Sequence, residues 1–174
     1  MITPGVSKNS IQKDGDKNIY IHSTDSVFKI ALYTSDADIS PDTLHYTPDG
    51  EVEGIGYEPG GKELTGIEFI SKNGIFSMSW QPVVWEHSSI KAHGALIYNA
   101  SNDNRAVYVT DFNNDIESVL DKFTVAFPPI NFDESNYYGG QIKIYNLQNS
   151  SPINKPGIAI VKGMGMASDT AEGQ

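Results

Sequence analysis

Short apolar segments separated by polar turn residues fill the middle of this 174-residue chain. Phe123, Val125 and Phe127 alternate with Thr124 and Ala126, which is the two-residue period of a strand with one buried face. Similar segments, rich in Ile, Val, Tyr and Phe, cover residues 18–22, 27–33, 63–70, 75–80, 92–98, 106–111, 123–127 and 141–145. Their close spacing predicts an all-β fold, an antiparallel β-sandwich of the jelly-roll or immunoglobulin-like type.

The connections between these segments carry turn signals. Asn73-Gly74 predicts a two-residue hairpin, and Asn102-Asp103-Asn104 predicts a polar turn between two strands. No long amphipathic segment separates the strands, so a parallel α/β fold is not expected.

Two short helical turns are predicted beside the strands. Residues 40–43 begin with a serine followed by a proline, which suit the cap and the first position of a helix. Within residues 114–122, Ile116, Val119 and Leu120 lie at helical spacing. A loop is the alternative at both places.

The two ends of the chain are polar and contain several glycines. We therefore predict an N-terminal arm over residues 1–18, a β-sandwich domain over 19–150 and a C-terminal arm over 151–174. The apolar run at 158–161 is a candidate last strand within the second arm. Free polar ends are commonly disordered, so ordered arms would be held by neighbouring subunits.

Composition narrows the possible partners. The chain has no cysteine, which excludes disulfides and thiolate metal sites. Its net charge is −10, and Arg105 is its one arginine, so we predict no nucleic-acid partner. No apolar run is long enough for a membrane span and no secretion signal is recognised, so we expect a protein made in the cytoplasm, with no membrane partner.

The sequence offers little catalytic or metal-binding chemistry. The histidines form no ligand motif; they are His22, His45, His87 and His93. Residues 111–115 have the D-x-N-x-D start of a calcium loop, but Ile116 replaces its glycine and Lys122 replaces its final glutamate. There is no nucleophile elbow and no phosphate-binding loop. We predict a protein that is not an enzyme and has no cofactor or metal.

One glycine-rich segment could be mistaken for a nucleotide loop. It contains Gly54, Gly56, Tyr57, Gly60 and Gly61. The segment lacks the lysine and hydroxyl residue of a phosphate-binding loop, and no helix pattern follows it. We therefore predict a structural turn with positive φ angles that leads into the strand at residue 63.

Four aromatic residues are candidates for a binding surface: Trp80, Trp85, Tyr137 and Tyr138. Rings with polar edges suit protein interfaces and also stack on sugars. The alternative for Trp80 and Trp85 is a place in the sandwich core. Exposure of the rings in one patch would favour glycan binding, and their burial would exclude it.

An ordered set of motifs runs from about residue 25 to 130. Its pieces are F-K-I-A-L-Y-T at 28–34, E-V-E-G-I-G-Y at 51–57 with G-G-K-E-L at 60–64, A-H-G-A-L-I-Y-N at 92–99, V-Y-V-T-D-F at 107–112 and F-T-V-A-F-P at 123–128. The set resembles a family of small structural proteins of tailed-bacteriophage virions. This chain departs from the family pattern by its longer segment at 113–121 and by its two polar ends.

The resemblance implies a virion component with no catalytic residues, made in the host bacterial cytoplasm. Within that reading we expect a capsid decoration (cement) protein that binds the major capsid protein and copies of itself, with a trimer as one form of the homo-oligomer. A tail or head-completion protein is the alternative in the same particle. A carbohydrate-binding module for host glycans is the alternative of another class, and an enzyme ranks third.

Overall fold

The computed structural model describes residues 1–14, 17–20, 25–72, 75–127, 131–132, 137–138, 142–146, 152–155, 160–162 and 165–166, with side chains at 1–10, 25–68 and 78–127. Strands dominate this part of the chain, which confirms the predicted all-β fold. In chain order the strands are β1 (Gly5–Val6), β2 (Ile11–Asp14), β3 (Lys17–Tyr20), β4 (Phe28–Tyr33), β5 (Lys62–Leu64), β6 (Glu68–Lys72), β7 (Ile75–Ser79), β8 (Val83–Ser88), β9 (Lys91–Asn99), β10 (Arg105–Glu117), β11 (Asp121–Ala126), β12 (Asn131–Phe132), β13 (Tyr137–Tyr138), β14 (Ile142–Asn146), β15 (Pro152–Lys155), β16 (Ile160–Lys162) and β17 (Gly165–Met166).

The strands form antiparallel sheets. A five-stranded sheet has the order β1-β10-β9-β4-β5, and two four-stranded sheets have the orders β15-β14-β11-β8 and β17-β16-β7-β6. The hairpins β2–β3 and β12–β13 stand as separate pairs. Whether the arrangement is of the jelly-roll or the immunoglobulin-like type stays a prediction.

The five-stranded sheet is buried on both faces. In β4, Phe28, Ile30 and Leu32 enter the main core, where they meet side chains of β8 and β11 such as Trp85 and Phe123. Ala31 and Tyr33 of β4 enter a second cluster on the opposite face. This cluster also contains Ile2 and Ile39. Burial of a large apolar side chain contributes about 1.5–3 kcal/mol, so these strands are the main source of stability.

A β-bulge adjusts β10 to this two-sided packing. Ala106 pairs with Tyr98 and Tyr108 with Ile97, which leaves Val107 as the extra residue. Val107 and Tyr108 consequently both belong to the main core, although they are neighbours in a strand.

The structure corrects both helical predictions. Residues 40–43 form a single turn in which the Thr43 N–H donates to the Ser40 carbonyl at 2.9 Å. The helix predicted over 114–122 is wrong, because β10 continues to Glu117 and β11 begins at Asp121. Ile116 pairs with Ala92 of β9 and is buried, so sheet pairing replaces the helical spacing. The one helical turn among the described residues is a 3-10 turn, Lys8–Ser10.

The N-terminal residues are not a free arm. Gly5 and Val6 pair with Val109 and Tyr108 at the edge of the five-stranded sheet, and the side chains of Ile2 and Val6 are buried. Residues 11–14 pair with 17–20 as a hairpin. Among residues 1–10, Ile2 and Val6 lie among small and polar residues without a periodic apolar pattern, so the sequence did not predict their burial.

The C-terminal stretch also contributes strands. β15 pairs with β14, and β16 pairs with β7 close to the run predicted as a last strand. β17 pairs with β16, and the other residues of the predicted C-terminal arm lie outside the described residues. No helix in the described part of the chain is long and apolar enough to cross a bilayer.

Of the two predicted turns, one lies within the described residues and the other lies outside them. At residues 102–104 the chain turns as predicted, with Asp103 and Asn104 at φ 52° and the Arg105 N–H donating to the Asn102 carbonyl at 3.0 Å. Asn73-Gly74 lies outside the described residues, although the flanking Lys72 and Ile75 pair as the predicted hairpin requires.

Candidate interaction surface

The glycine-rich segment at 54–61 forms a tight turn with positive φ angles. Gly56, Gly60 and Gly61 have φ values of 79°, 90° and 73°. A Cβ atom on Gly61 would overlap the Ile30 carbonyl, and one on Gly54 would overlap a backbone carbonyl of the neighbouring β8–β9 connection. These glycines are therefore required by backbone geometry, and the turn leads directly into β5 as predicted.

The side chain of Glu51 holds this turn in place. Its Oε1 accepts hydrogen bonds from the Tyr57 hydroxyl at 2.5 Å and the Gly60 N–H at 2.8 Å, and its Oε2 accepts one from the Tyr46 hydroxyl at 2.6 Å. The Tyr57 hydroxyl also accepts a hydrogen bond from the Leu32 N–H at 2.9 Å. One carboxylate thus connects the turn to the backbone of β4.

The phenols around Glu51 act as hydrogen-bond donors. Burial, together with the hydrogen bond to Glu51, raises the pKa of Tyr57 and of Tyr46 well above the usual range. Burial and the charge of Glu51 raise the pKa of Tyr98 to about 12. The Tyr98 hydroxyl donates to the Gly60 carbonyl at 2.7 Å. These phenols stay protonated near neutral pH and support the turn.

The two tryptophans offer no exposed platform for a glycan. Trp80 is 5% exposed and Trp85 is 1% exposed. Phe28 packs edge-on to Trp80 at 5.4 Å between ring centroids, and Phe123 packs edge-on to Trp85 at 6.0 Å. Their apolar rings fill the space between the sheets, so they belong to the core, the alternative that the sequence left open.

Tyr137 and Tyr138 form the short strand β13. They pair with Phe132 and Asn131 of β12. Their side chains lie outside the described part of the structure, so their suggested role at an interface stays a prediction.

Three large apolar side chains are exposed on two chain segments that both form hydrogen bonds with Ser89. Ile55 is 63% exposed, Val119 is 52% exposed and Leu120 is 65% exposed. The Ser89 N–H donates to the Ile55 carbonyl at 2.9 Å, and the Leu120 N–H donates to the Ser89 hydroxyl at 3.0 Å. We call Ile55, Val119 and Leu120 the apolar corner.

Buried hydroxyls beneath the apolar corner fix its backbone. The hydroxyls of Ser88 and Ser118 lie 2.8 Å apart, and both serines are buried. Ser118 exchanges backbone hydrogen bonds with Ile90, and its hydroxyl donates to the Ser88 carbonyl at 3.0 Å. The Ser88 hydroxyl also donates to the Asp121 carbonyl. The corner is therefore held in one shape before any partner binds.

Leu120 has an unusual backbone conformation, with φ at 49°. Asp103, Asn104 and Asn113 also have positive φ, but Asp and Asn adopt this region far more readily than a leucine does. Such strain costs about 1–2 kcal/mol for an ordinary residue and persists only where surrounding contacts enforce it. In this corner the conformation leaves the leucine side chain in solvent.

The segment at 111–115, considered above as a calcium loop, forms an irregular bulge in β10 opposite His93. His93 Nδ1 lies 2.8 Å from Asp115 Oδ1, and His93 Nε2 lies 3.5 Å from Asp111 Oδ1. Lys91 Nζ lies 3.4 Å from Asp115 Oδ2. Chiefly because of the His93 hydrogen bond, the pKa of Asp115 is lowered. Within the described residues, no group of three histidine, aspartate or glutamate side chains is arranged to hold a metal ion.

The other histidines are dispersed. His45 Nδ1 lies 2.9 Å from the Asp103 carbonyl oxygen, and His87 is exposed in β8 with φ at 47°. His22 lies outside the described residues.

The sequence pattern did not identify the apolar corner. The helical turn predicted within residues 114–122 grouped Val119 and Leu120 with Ile116, because these three apolar residues lie at helical spacing. A signal was present in the two adjacent large apolar residues between Ser118 and Asp121, in a segment that is otherwise polar. Neighbouring residues of a regular strand face opposite sides, so one residue of such a pair in a polar segment is expected to be exposed.

Comparison with protein-family models, curated proteins and solved structures yields no match to this chain. A functional proposal therefore depends on the surface of the chain and on the motifs at residues 28–128.

Proposed function

We propose that this protein is a non-enzymatic structural component of a tailed-bacteriophage virion, a capsid decoration (cement) protein that binds the major capsid protein. The observation that carries the proposal is the apolar corner. Its three apolar side chains are exposed, and the hydrogen bonds of buried serines hold the backbone beneath them. Exposed apolar side chains grouped on neighbouring segments of a domain indicate a site of protein interaction.

The motif resemblance supports the phage context. The motifs at 28–34, 92–99, 107–112 and 123–128 coincide with β4, β9, β10 and β11, which build the core. These motifs thus account for a fold that members of such a family would share. Val119 and Leu120, by contrast, lie in the segment 113–121 where this chain departs from the family pattern. Differences at that position are expected of residues that contact a partner specific to each particle.

The polar clusters support a structural role. Glu51 and its tyrosines bond to each other and to the backbone of the glycine-rich turn. Burial of Trp80 and Trp85 removes the two tryptophans from the aromatic surface that glycan binding was expected to use. Both observations favour an assembly protein over an enzyme or a carbohydrate-binding module.

The proposal is tested by imaging particles with and without the protein. We expect difference density at repeated positions over the shell, and we expect particles that lack the protein to release their contents at a lower temperature. Density confined to the tail or to its vertex would assign a tail or head-completion role instead. Particles that contain no copy of the protein would refute the virion proposal.

A further inference from the structure

We propose that the apolar corner docks onto an apolar protein surface bordered by lysine and arginine, on a neighbour that is not a second copy of this chain. This inference deepens the proposed function and rests on it for the identity of the neighbour as a virion protein. The chemistry of the contact, however, is assigned from the corner alone.

The first reason is that the corner exposes large apolar side chains on a backbone that internal hydrogen bonds hold in place. Ile55, Val119 and Leu120 are three of the six large apolar side chains that are exposed in the described part of the chain. Each would bury apolar area on docking, and the bonds of Ser88, Ser89 and Ser118 hold the backbone beneath them. A preorganised contact loses little conformational entropy when it binds.

The second reason is the charge around the corner. Glu53 is two residues from Ile55 in the chain, and Glu117 and Asp121 flank the turn that carries Val119 and Leu120. The backbone carbonyl of Glu86 approaches the turn at Gly56. Among these carboxylates, Lys122 provides a cation, with its Nζ 3.7 Å from Glu86 Oε1.

The border of the corner is therefore acidic. Lys91, which lies opposite Glu117 in the β9–β10 pairing, provides a second cation, so four carboxylates and two ammonium groups leave a formal charge of −2. Complementary charge on a partner increases the association rate and selects against partners of like charge.

The same charge argues against a second copy as the occupant. Two corners that met about a two-fold axis would bring like-charged borders together, in a chain whose net charge is already −10. Like charges placed against each other across an interface are costly. A partner surface with an apolar centre and a basic border would complement both the apolar side chains of the corner and its acidic border.

The test uses the full-length protein, labelled with nitrogen-15, and two designed amphipathic peptides of equal leucine content. One peptide carries lysine on its polar face and the other carries glutamate. We expect the leucine-lysine peptide to shift the amide resonances of residues 53–56, 86–90 and 117–121, with an affinity that falls as salt is added. The leucine-glutamate peptide is expected to leave those resonances unchanged.

Matched variants separate this contact from general attraction to an acidic protein. The double variant Val119→Asp with Leu120→Asp is expected to bind the leucine-lysine peptide at least about tenfold more weakly. Leu44→Asp replaces a leucine that is 49% exposed outside the corner, and it is expected to bind as the unaltered protein does. Equal binding by all three proteins, or resonance shifts confined to other surfaces, would overturn the inference.

Two further measurements distinguish a failure of the docking inference from a failure of the proposed function. If the protein self-associates in sedimentation and the double variant abolishes that association, the occupant is a second copy and the inference is wrong. Rebinding to particles prepared without the protein tests the proposed function separately. Binding that the double variant retains would overturn the docking assignment but not the virion role, whereas no binding by the unaltered protein would refute the virion role but not the peptide result.

Discussion

The glycine-rich turn and the apolar corner are neighbours that both contain residues with positive φ angles, but the steric cost of these angles differs between them. In the turn, Gly56, Gly60 and Gly61 adopt positive φ angles without steric cost, and Glu51 bonds to hydroxyl and amide groups of the same chain. In the corner, Leu120 adopts a positive φ angle at a cost, and its side chain is left in solvent. The comparison indicates that the turn stabilises the fold, whereas the corner is kept for a contact outside it.

The largest expected effect comes from Gly61→Ala in the turn. The new Cβ atom would overlap the Ile30 carbonyl, which belongs to β4, an interior strand paired on both sides, and cannot move freely. We expect the free energy of unfolding to fall by at least about 3 kcal/mol in urea denaturation.

Gly66→Ala is the matched control for Gly61→Ala. Gly66 also has a positive φ, 64°, but its added Cβ would meet the flexible side chain of Gln81 instead of backbone. The expected loss is about 1–2 kcal/mol, from the backbone conformation alone. Equal losses in the two variants would show that close packing on β4 is not what requires glycine at position 61.

A smaller loss is expected for Glu51→Gln. Oε1 and Oε2 of Glu51 both accept hydrogen bonds, and an amide nitrogen cannot replace either of these acceptors. We expect a loss of about 2 kcal/mol in unfolding free energy, typical of bonds to a charged group. Glu53→Gln, at an exposed position two residues along, is expected to change stability by less than about 0.5 kcal/mol. A similar loss in both would contradict the assigned role of Glu51.

A gain in stability is expected at the corner. Asparagine tolerates positive φ better than leucine, so Leu120→Asn should raise the free energy of unfolding by about 1 kcal/mol. The same change should weaken docking, because it removes an exposed apolar side chain from the contact. Val119→Asn has no positive φ angle to relieve and is expected to weaken docking with no gain in stability. A loss of stability in Leu120→Asn would show that the leucine serves the fold.

The sequence predicted the turn well and the corner poorly, for a physical reason. The glycines at 56, 60 and 61 adopt the predicted positive φ angles, which few other residues adopt, and this is a local property. The burial of Trp85 and the exposure of Leu120 depend on which strands meet in space. Residues 1–10 illustrate the same limit, since Val6 became a core residue only through its pairing with β10.

The bulge opposite His93 lies in β10 between the main core and the corner, and its contribution is expected to be the smallest. The folded-state pKa of Asp115 is lowered, so its contacts stabilise the fold above the usual aspartate range and are lost as pH falls through the folded pKa. We expect Asp115→Asn to show a shallower loss of stability than the unaltered protein as the pH falls below about 4, the usual aspartate pKa. Asp36→Asn, at an exposed carboxylate, serves as the control and is expected to retain the original slope. Urea denaturation at a series of pH values measures the difference. Identical slopes in Asp115→Asn and the unaltered protein would show that His93 and Lys91 do not stabilise the bulge through this carboxylate.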